Sequence, residues 1–315
     1  MNKMPKISII IPLYVICERF FEDLKKFENL NYSNYEILIV CDRQVRIDIP
    51  KAKLILTGVK NTGPAEKRDI ALTKAKGEIL AFIDDDAYPD KDWLENAASH
   101  FQDKNIAAVG GPGITPPEDP YWPQLTGLVY SSFFCGGFAR HRFIKEKPRF
   151  IEDYPAYNLL VRKDILKKVG GYGSNFYGGE DTFLCLKIIE KGLKIFYDPK
   201  VTIYHHRRPL FIPYLKQIFN VGVHRGYFAK VFPRTSRRLS YFIPSILSIG
   251  FVLSFIFFRA EFFILFLSFL LIGSLSVIEQ TNPLNALIVG FAIISTHLSY
   301  GTGFIKGLFT KNLTR

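Results

Sequence analysis

Cysteine is scarce in this chain, and its few copies are scattered. They are Cys17, Cys41, Cys135 and Cys185. Their wide separation excludes the paired spacing of a structural zinc site, and their small number excludes a disulfide-stabilised scaffold. We therefore expect these side chains to be reduced and mostly buried.

Acidic charge is also in short supply, since the formal net charge of the 315 residues is +12. No motif interleaves basic and aromatic residues in the way that nucleic-acid-binding domains do, so nucleic acid is not an expected partner. Much of the basic excess lies just ahead of an apolar block, at His205 to Arg208, His224, Arg225, Lys230, Arg234, Arg237 and Arg238. This position favours contact with anionic lipid headgroups, although a solvated basic surface has the same composition.

Charged residues nearly disappear near the C-terminus, where Phe242 to Ile305 contains only Arg259, Glu261 and Glu279. The apolar segments within this stretch are close to the length of about 17 residues or more that crosses a bilayer. We expect two to three transmembrane helices and a multi-pass protein of the cell membrane whose N-terminal domain lies in the cytoplasm. The predicted organisation is an N-terminal domain at 1–208, an amphipathic interfacial segment at 209–240, a transmembrane segment at 241–305 and a basic tail at 306–315.

The N-terminal half has the pattern of a doubly wound, mostly parallel α/β sheet. Ile7 to Pro12, Glu36 to Asp42 and Glu78 to Ile83 are nearly continuous apolar runs, which are typical of strands buried on both faces. The intervening segments Glu18 to Leu30 and Pro64 to Lys76 have helical character, which suits crossover connections. The first run is short and contains a proline, so it predicts a strand rather than a signal peptide.

Ligands of such sheets bind beyond the carboxyl ends of the strands. The acidic run Asp84-Asp85-Asp86 falls at this edge. Alternate residues of an extended segment face the same way, so Asp84 and Asp86 can share a divalent cation, and hard oxygen ligands favour Mg²⁺ or Mn²⁺. The alternative is an acidic turn that caps the helix beginning near Asp92.

A second carboxylate pair, Glu180-Asp181, follows a glycine-rich stretch and opens a helical run. Glycine lets the backbone approach a ligand closely, and a carboxylate at this position can accept the proton of an incoming hydroxyl. The alternative is that either residue only caps the helix.

From Ile7 to about Phe232, the ordered set of motifs is similar to the family 2 glycosyltransferases. The matching segments are Ser8 to Pro12, Asp42, Gly63 to Asp69, Lys76 to Glu78, Ile83 to Asp86, Gly110 to Pro112, Tyr157 to Arg162, Gly170 to Tyr172, Gly178 to Asp181 and His205 to Pro209. The resemblance implies a GT-A fold and inverting sugar transfer. Two positions depart from the family pattern, Asp69 and Cys41, and they leave the identity of the nucleotide open.

The resemblance also implies roles for individual residues. The nucleotide sugar is expected at Pro12, Tyr14, Asp42, Arg68, Asp84 and Asp85, and the metal at Asp84, Asp86 and His206. Asp181 is the expected general base, with Glu180 beside it. Adjacent His205 is an alternative third ligand, and either histidine can equally be an ordinary packed or surface residue.

The sequence therefore predicts a metal-dependent enzyme that moves one sugar from a nucleoside diphosphate sugar to a lipid-linked or cell-envelope glycan acceptor. Trp93 and Trp122 are the only tryptophans, so the Gln-x-x-Arg-Trp motif of processive synthases is absent after the base. Trp122 lies in a proline-rich loop, where it either packs or contacts the acceptor. The alternatives are a polyprenyl-phosphate glycosyltransferase and a non-catalytic polytopic protein that binds nucleotide.

Overall fold

The computed structural model describes residues 4–173 and 178–313. The chain divides into two compact units, the first formed by Met1–Ile114 and Ile144–His205, the second by Thr115–Phe143 and His206–Arg315. The first unit ends close to the catalytic-domain boundary expected at residue 208. Residues 115–143, which the sequence analysis placed within that domain, group with the C-terminal helices.

Within the described residues, the strands of the first unit form two sheets. They are β1 (Ile7–Pro12), β2 (Tyr35–Cys41), β3 (Ala52–Leu56), β4 (Ile79–Ile83), β5 (Ala87–Pro89), β6 (Ile106–Gly110), β7 (Gly113–Ile114), β8 (Arg149–Ile151), β9 (Asn158–Arg162), β10 (Lys194–Tyr197) and β11 (Ile203–His205). The larger sheet has the order β3-β2-β1-β4-β9-β6-β10-β8, and the smaller has the order β5-β11-β7. Among the described strands of the larger sheet, only β8 and β9 are antiparallel to the others.

The helices connect these strands and continue into the second unit. They are α1 (Glu18–Lys26), α2 (Pro64–Lys74), α3 (Trp93–His100), α4 (Tyr121–Ser131), α5 (Phe133–Gly136), α6 (Lys163–Lys168), α7 (Glu180–Glu190), α8 (Ile212–Val231), α9 (Pro233–Ser236), α10 (Leu239–Phe257), α11 (Arg259–Leu275) and α12 (Pro283–Phe309). Short 3₁₀ turns occupy Phe27–Asn29, Gly137–Arg142 and Ile278–Gln280.

The central strands are apolar because both faces of the larger sheet are covered. Every residue of β1 and β2 is buried. Ile9 packs into the hydrophobic cluster on one face and Ile10 into the cluster on the other, as the two-residue period of a strand requires. The prediction of a mixed α/β fold with a large, mostly parallel sheet is confirmed. β1, β2 and β4 are parallel neighbours, so their carboxyl ends lie at one edge and define the candidate site.

Helix α12 is the centre of the second unit, where it contacts α8, α10 and α11. Glycines allow the close approach of α8: Gly222 and Gly226 on α8 face Gly303 and Gly307 on α12. A Cβ at Gly226 would lie 2.1 Å from the carbonyl oxygen of Phe304. Small residues four apart are the usual means by which apolar helices pack backbone to backbone.

We expect Gly226→Ala to lower the free energy of unfolding by about 1–3 kcal/mol, the usual cost of forcing extra volume into a tight contact. Gly250→Ala on α10 is the matched control, because its Cβ would have nothing within 4 Å and alanine favours a helix. Unfolding of both variants in the same detergent measures the difference. Equal stability of the two would show that the α8–α12 contact is looser than described.

Two described helices, α10 and α12, are long and apolar enough by length and composition to cross a bilayer. Their most apolar windows have mean hydropathies of 2.0 and 1.4, and half of the α12 window is buried inside the protein. Helix α11 is also apolar, but with 17 residues it is shorter than α10 and α12. These three helices lie where the sequence predicted apolar segments, at the C-terminus.

Candidate functional site

The acidic run lies in the turn between β4 and β5, at the carboxyl edge of the larger sheet. Strand β5 pairs antiparallel with β11 and sets His205 opposite Ala87. His205 Nε2 consequently lies 3.0 Å from Asp86 Oδ1. One ligand atom from each of Asp84, Asp86 and His205 lies within 4.8 Å of the others. Two carboxylates and an imidazole are a donor set that fits Mg²⁺ or Mn²⁺.

The third member of this group is His205, and not His206 as the sequence analysis expected. Successive residues of an extended segment project to opposite sides, so only one of the two adjacent histidines faces Asp86. His206 Nδ1 instead forms a short hydrogen bond with Asp119 Oδ1 in the second unit. The pairing of β5 with β11 sets which of the two histidines faces Asp86, and it joins segments that are more than a hundred residues apart in the chain.

Arg68 links the acidic run to the second carboxylate pair. It projects from α2 and is 4% exposed. Its Nη2 lies 2.8 Å from Asp84 Oδ1, and its Nη1 lies 3.2 Å from Glu180 Oε1. Burial acts to lower the pKa of Arg68, but neighbouring Tyr172, Asp84 and Glu180 outweigh it, so the net shift is upward. The guanidinium is therefore a fixed positive charge between two carboxylates.

Removing this charge is expected to destabilise the first unit. Arg68→Met leaves Glu180 buried without its counter-charge, which costs about 3–5 kcal/mol of unfolding free energy for a broken buried pair. Arg149→Met is the control, because Arg149 pairs with Glu146 while 40% exposed, and exposed pairs contribute about 1 kcal/mol or less. Guanidinium unfolding of both variants measures the contrast. Equal losses of unfolding free energy in the two variants would show that the buried Arg68 ion pairs stabilise the protein no more than the exposed pair does.

The electrostatics of the acidic run are those of a site that favours a cation. Burial raises the pKa of the Asp84 carboxyl, Arg68 acts against this shift, and the charge of Asp86 adds to it. Burial also raises the pKa of Asp85 to about 6. Carboxylates held together in this way repel one another, and a bound cation relieves that repulsion.

Asp85 differs from its neighbours because its carboxylate accepts hydrogen bonds from backbone amides. Asp85 Oδ2 accepts hydrogen bonds from the amides of Tyr14, at 2.6 Å, and Val15, at 3.0 Å. These bonds fix the loop that follows β1 and leave the Tyr14 ring 70% exposed at the edge of the sheet. Pro12 is buried at the end of β1. Asp85 thus positions a loop whose exposed ring is available to stack on a ligand.

Asp42 lies one strand further along the same edge. Its oxygens accept hydrogen bonds from Thr57 Oγ1, at 2.9 Å, and the Thr62 amide, at 3.0 Å. Burial acts to raise the pKa of Asp42, but these bonds and the charge of Lys67 lower it overall. Lys67, which sequence reasoning left without a role, is 2% exposed and donates to the Leu13 carbonyl at 2.7 Å. Lys67 connects the ends of β1 and β2. In the sequence, only its position within the segment Gly63 to Asp69 could have pointed to it.

Glu180 and Asp181 open α7, after Gly178 and Gly179, which both adopt positive φ. Glu180 is buried and committed to Arg68 and to the amide of Gly178. Asp181 is less buried, and its Oδ1 accepts from the Thr182 amide at 2.8 Å. The two carboxylates therefore differ in environment: Glu180 holds an internal ion pair, whereas Asp181 lies at the helix start.

Asp69 and Cys41, the two departures from the family pattern, both have structural uses. The Asp69 carboxylate accepts from the amides of Tyr172, at 2.8 Å, and Gly173, at 3.0 Å. It braces the turn in which Gly171 adopts a φ of +67°. Cys41 is 3% exposed in the core at the end of β2.

The sequence resembles known proteins in the region that holds this site. Residues 8–170, just over half of the chain, match the family model described as Glycosyl transferase family 2. A pre-mycofactocin glycosyltransferase from Mycobacterium tuberculosis is 29% identical over 147 residues, which cover 46% of this chain and 30% of that protein. The chain therefore spans less than a third of this relative's length.

Two further proteins match a larger share of the chain. A glucosyl-dolichyl phosphate glucuronosyltransferase from Haloferax volcanii is 23% identical over 228 residues, covering 64% of this chain and 69% of that protein. The structure of a mannosyltransferase from Pyrobaculum calidifontis, in complex with GDP-Man and Mn²⁺, superimposes with a TM-score of 0.62 at 17% identity, covering 99% of this chain and 89% of the other. This likeness establishes the fold.

Proposed function

The chain belongs to glycosyl transferase family 2 and is a glycosyltransferase, and from that premise we propose that it transfers one sugar, with inversion, from a nucleoside diphosphate sugar to a lipid-linked or cell-envelope glycan acceptor. The observation that carries the proposal is the grouping of Asp84, Asp86 and His205 at the sheet edge. The similarly folded mannosyltransferase was solved with a nucleotide sugar and Mn²⁺, which supports a donor of this class.

Asp84, Asp86 and His205 would hold the divalent cation, Mg²⁺ or Mn²⁺. When bound, such an ion neutralises the diphosphate that leaves with the nucleotide. The protein's part is to keep the two carboxylates in place: Arg68 fixes Asp84, and His205 fixes Asp86.

The rest of the donor lies, in this proposal, along the carboxyl ends of β1 and β2. The exposed Tyr14 ring stacks on the base, and Asp42, held by Thr57 and Thr62, accepts from the ribose or base. Asp85 positions the Tyr14 loop from below. The nucleotide is thereby recognised by stacking and by a preset carboxylate.

Asp181 is the proposed general base, which accepts the proton of the acceptor hydroxyl as the sugar is transferred. Glu180 is tied to Arg68 at 3.2 Å and is buried, so its charge serves the ion pair. Asp181 is the more accessible of the two and stands at a glycine-rich turn. The positions of the two neighbours thus support one base and one structural carboxylate.

A membrane acceptor agrees with three features. Helices α10 and α12 have the length and composition to span a bilayer. Exposed Arg237 and Arg238 immediately precede α10, where basic residues favour the cytoplasmic side. The relative from Haloferax volcanii is named for a dolichyl phosphate substrate. We propose that the chain is a multi-pass membrane protein and that its catalytic unit lies on the cytoplasmic side.

The test is a donor panel applied to the full-length protein in detergent. Purified protein is incubated with UDP-, GDP-, ADP- and dTDP-sugars, with Mn²⁺, Mg²⁺ or chelator, and release of the nucleoside diphosphate is measured with and without membrane lipid extract. The proposal predicts release from one class of donor, dependent on metal and increased by the extract. A folded protein that releases no nucleoside diphosphate from any donor would contradict it.

A further inference from the structure

Helix α12 is attached at its start to residues 115–143, because the Tyr121 hydroxyl donates to Asn285 Oδ1 at 2.6 Å. In the turn before α12, Gln280 Oε1 accepts a hydrogen bond from Ser131 Oγ at 3.0 Å. Residues 115–143 lie between β7 and β8 in the chain, and their longest helix, α4, has 11 residues. This is shorter than the roughly 17 residues that cross a bilayer, so the segment stays on the side of the membrane where β7 and β8 lie. The start of α12 lies on the same side, which we call the catalytic side.

Helix α8 lies beside α12 and runs in the same direction. Near the start of α8, the Tyr214 hydroxyl lies 3.0 Å from Thr296 Oγ1. In the last turn of α8, Lys230 Nζ donates to the Thr310 carbonyl at 2.5 Å, and between these points the paired glycines described above bring the two backbones together. The part of α12 before Thr296 is too short to span a bilayer on its own. Helix α12 can therefore cross the membrane only if α8 crosses with it.

Helix α8 is long enough to cross a bilayer but too polar to do so. It has 20 residues, yet it does not meet the test of composition that α10 and α12 meet. Lys216, Asn220 and Arg225 are spread through its interior, and charged side chains within the hydrocarbon are rare and costly. Exposed Ile212 and Val221 share the surface of α8 with exposed Lys216, which is typical of a helix that lies in the membrane interface. Since α8 follows β11, which pairs with β7, both ends of α8 lie on the catalytic side.

The start of α10 packs against the C-terminal part of α12. The Phe242 ring lies 4.8 Å from the Phe304 ring. One turn further along α10, Ser245 Oγ donates to the Gly301 carbonyl at 3.2 Å. Helix α10 also follows α8 in the chain after the short helix α9. The end of α8, the end of α12 and the start of α10 are therefore neighbours on the catalytic side.

The charges of the second unit agree with this arrangement. Arg237 before α10, Lys306 in the last turn of α12 and Lys311 after it are all exposed. No residue of 206–258 or of 280–315 is acidic, so these side chains form one basic end. Basic residues that flank apolar segments favour the cytoplasmic side, where anionic headgroups attract them. If α12 crossed the membrane, Lys306 and Lys311 would lie on the opposite side from Arg237.

The burial of the three apolar helices separates α10 and α11 from α12. In the most apolar window of each helix, 17% of α10 is buried but 50% of α12. The buried residues of α11 are Gly273 and Ser274. Large side chains of α10 and α11, such as Ile246, Phe255 and Leu267, are more than half exposed. Helices α10 and α11 thus offer apolar surface to lipid along their length, whereas much of α12 is covered by protein.

We propose that α12 does not cross the membrane but lies beside α8 in the interface of the leaflet on the catalytic side, whose headgroups contact the basic end. The two crossings are α10 and α11, with 19 and 17 residues, joined by a turn on the opposite side. This inference rests on the proposed function only in treating the chain as a membrane protein. It requires Lys311 to lie on the same side as the first unit, and Ala260 in the α10–α11 turn to lie on the other.

The exposed thiol of Cys17 in the first unit marks the catalytic side. The other three cysteines are buried or partly buried, so a Cys17→Ser parent sets the background of thiol labelling. In this parent, Ala260→Cys and Lys311→Cys each add one thiol at an exposed position. Glu261→Cys and Asn312→Cys, also at exposed positions, repeat the two placements.

Membrane vesicles of both orientations, inside-out and right-side-out, are prepared with the full-length protein and treated with a membrane-impermeant maleimide. We expect Cys17 and Lys311→Cys to be labelled in one orientation only, and Ala260→Cys to be labelled only in the other. Labelling after solubilisation in detergent, where all three thiols are accessible, normalises the comparison.

The outcomes separate this inference from the proposed function. Labelling of Lys311→Cys in the orientation opposite to that of Cys17 would show that α12 crosses, and it would overturn the inference. Labelling of Ala260→Cys together with Cys17, or in neither orientation, would exclude a crossing hairpin and overturn it as well. The proposed function is read independently, from nucleoside diphosphate release by the unaltered protein with the donor panel, so an inactive protein with the expected labelling would overturn the function alone.

Discussion

Replacing Asp84 or Asp86 by alanine is expected to lower sugar transfer by on the order of 10³-fold or more. Each change removes one oxygen ligand from the group formed with His205. A metal ion on a leaving diphosphate stabilises the transition state by several kcal/mol, and each 1.4 kcal/mol or so is a factor of ten in rate. Donor binding in the presence of Mn²⁺ should weaken as well.

The two variants disturb the apo protein in different ways, which makes their agreement informative. Asp84→Ala removes one of the two carboxylates paired with Arg68, whereas Asp86→Ala removes the carboxylate that hydrogen-bonds His205. Transfer rates, Mn²⁺ affinity and Tm are measured for both, together with His205→Ala and His206→Ala. A loss of metal affinity in His205→Ala but not in His206→Ala would support the ligand set that the structure indicates. Near-normal turnover and donor affinity in both aspartate variants would exclude it.

Replacing Asp181 by asparagine is expected to lower kcat by about 10²–10⁴-fold, the usual contribution of a general base. Asparagine keeps the size of the side chain and an oxygen that can accept from the Thr182 amide, but it cannot take a proton at neutral pH. Donor affinity should barely change, because the proposed donor contacts lie at Asp42, Tyr14 and the metal group.

The neighbouring carboxylate supplies the comparison. Glu180→Gln weakens the bond to Arg68 at 3.2 Å and is expected to lower Tm, with a smaller effect on the chemical step once the protein is folded. Steady-state kinetics of both variants at a temperature where both are folded separates the roles. An inactive Glu180→Gln beside an active Asp181→Asn would make Glu180 the base. Full activity of both would favour an acceptor phosphate oxygen, which needs no base.

The sequence was sufficient for those parts of the fold that depend on local pattern. Ile7 to Pro12 was predicted as a strand and is β1, because a continuous apolar run suits a strand covered on both faces. The run ending at Ile83 is β4, so the acidic triplet was correctly expected at the strand end. The apolar segments of the sequence, Tyr241 to Phe258, Phe262 to Ile278 and Leu284 to Ile305, begin and end within a few residues of α10, α11 and α12.

Long-range pairing explains what the sequence did not reveal. The choice between His205 and His206 depends on the antiparallel register of β5 with β11, and one residue of shift reverses which side chain faces the acidic run. The bridge from Arg68 to Glu180 joins α2 to α7. The local pattern of apolar and polar residues does not reveal any of these contacts.

The anomeric configuration of the first product tests the account most directly. Once the donor panel has identified the sugar nucleotide, the anomeric configuration of the purified glycoside is determined by ¹H NMR. Direct attack by an acceptor activated at Asp181, with the diphosphate leaving from the opposite face, predicts a product of inverted configuration in the presence of Mn²⁺ or Mg²⁺. A product that retains the configuration of the donor, or the same product formed at the same rate in chelator, would contradict it.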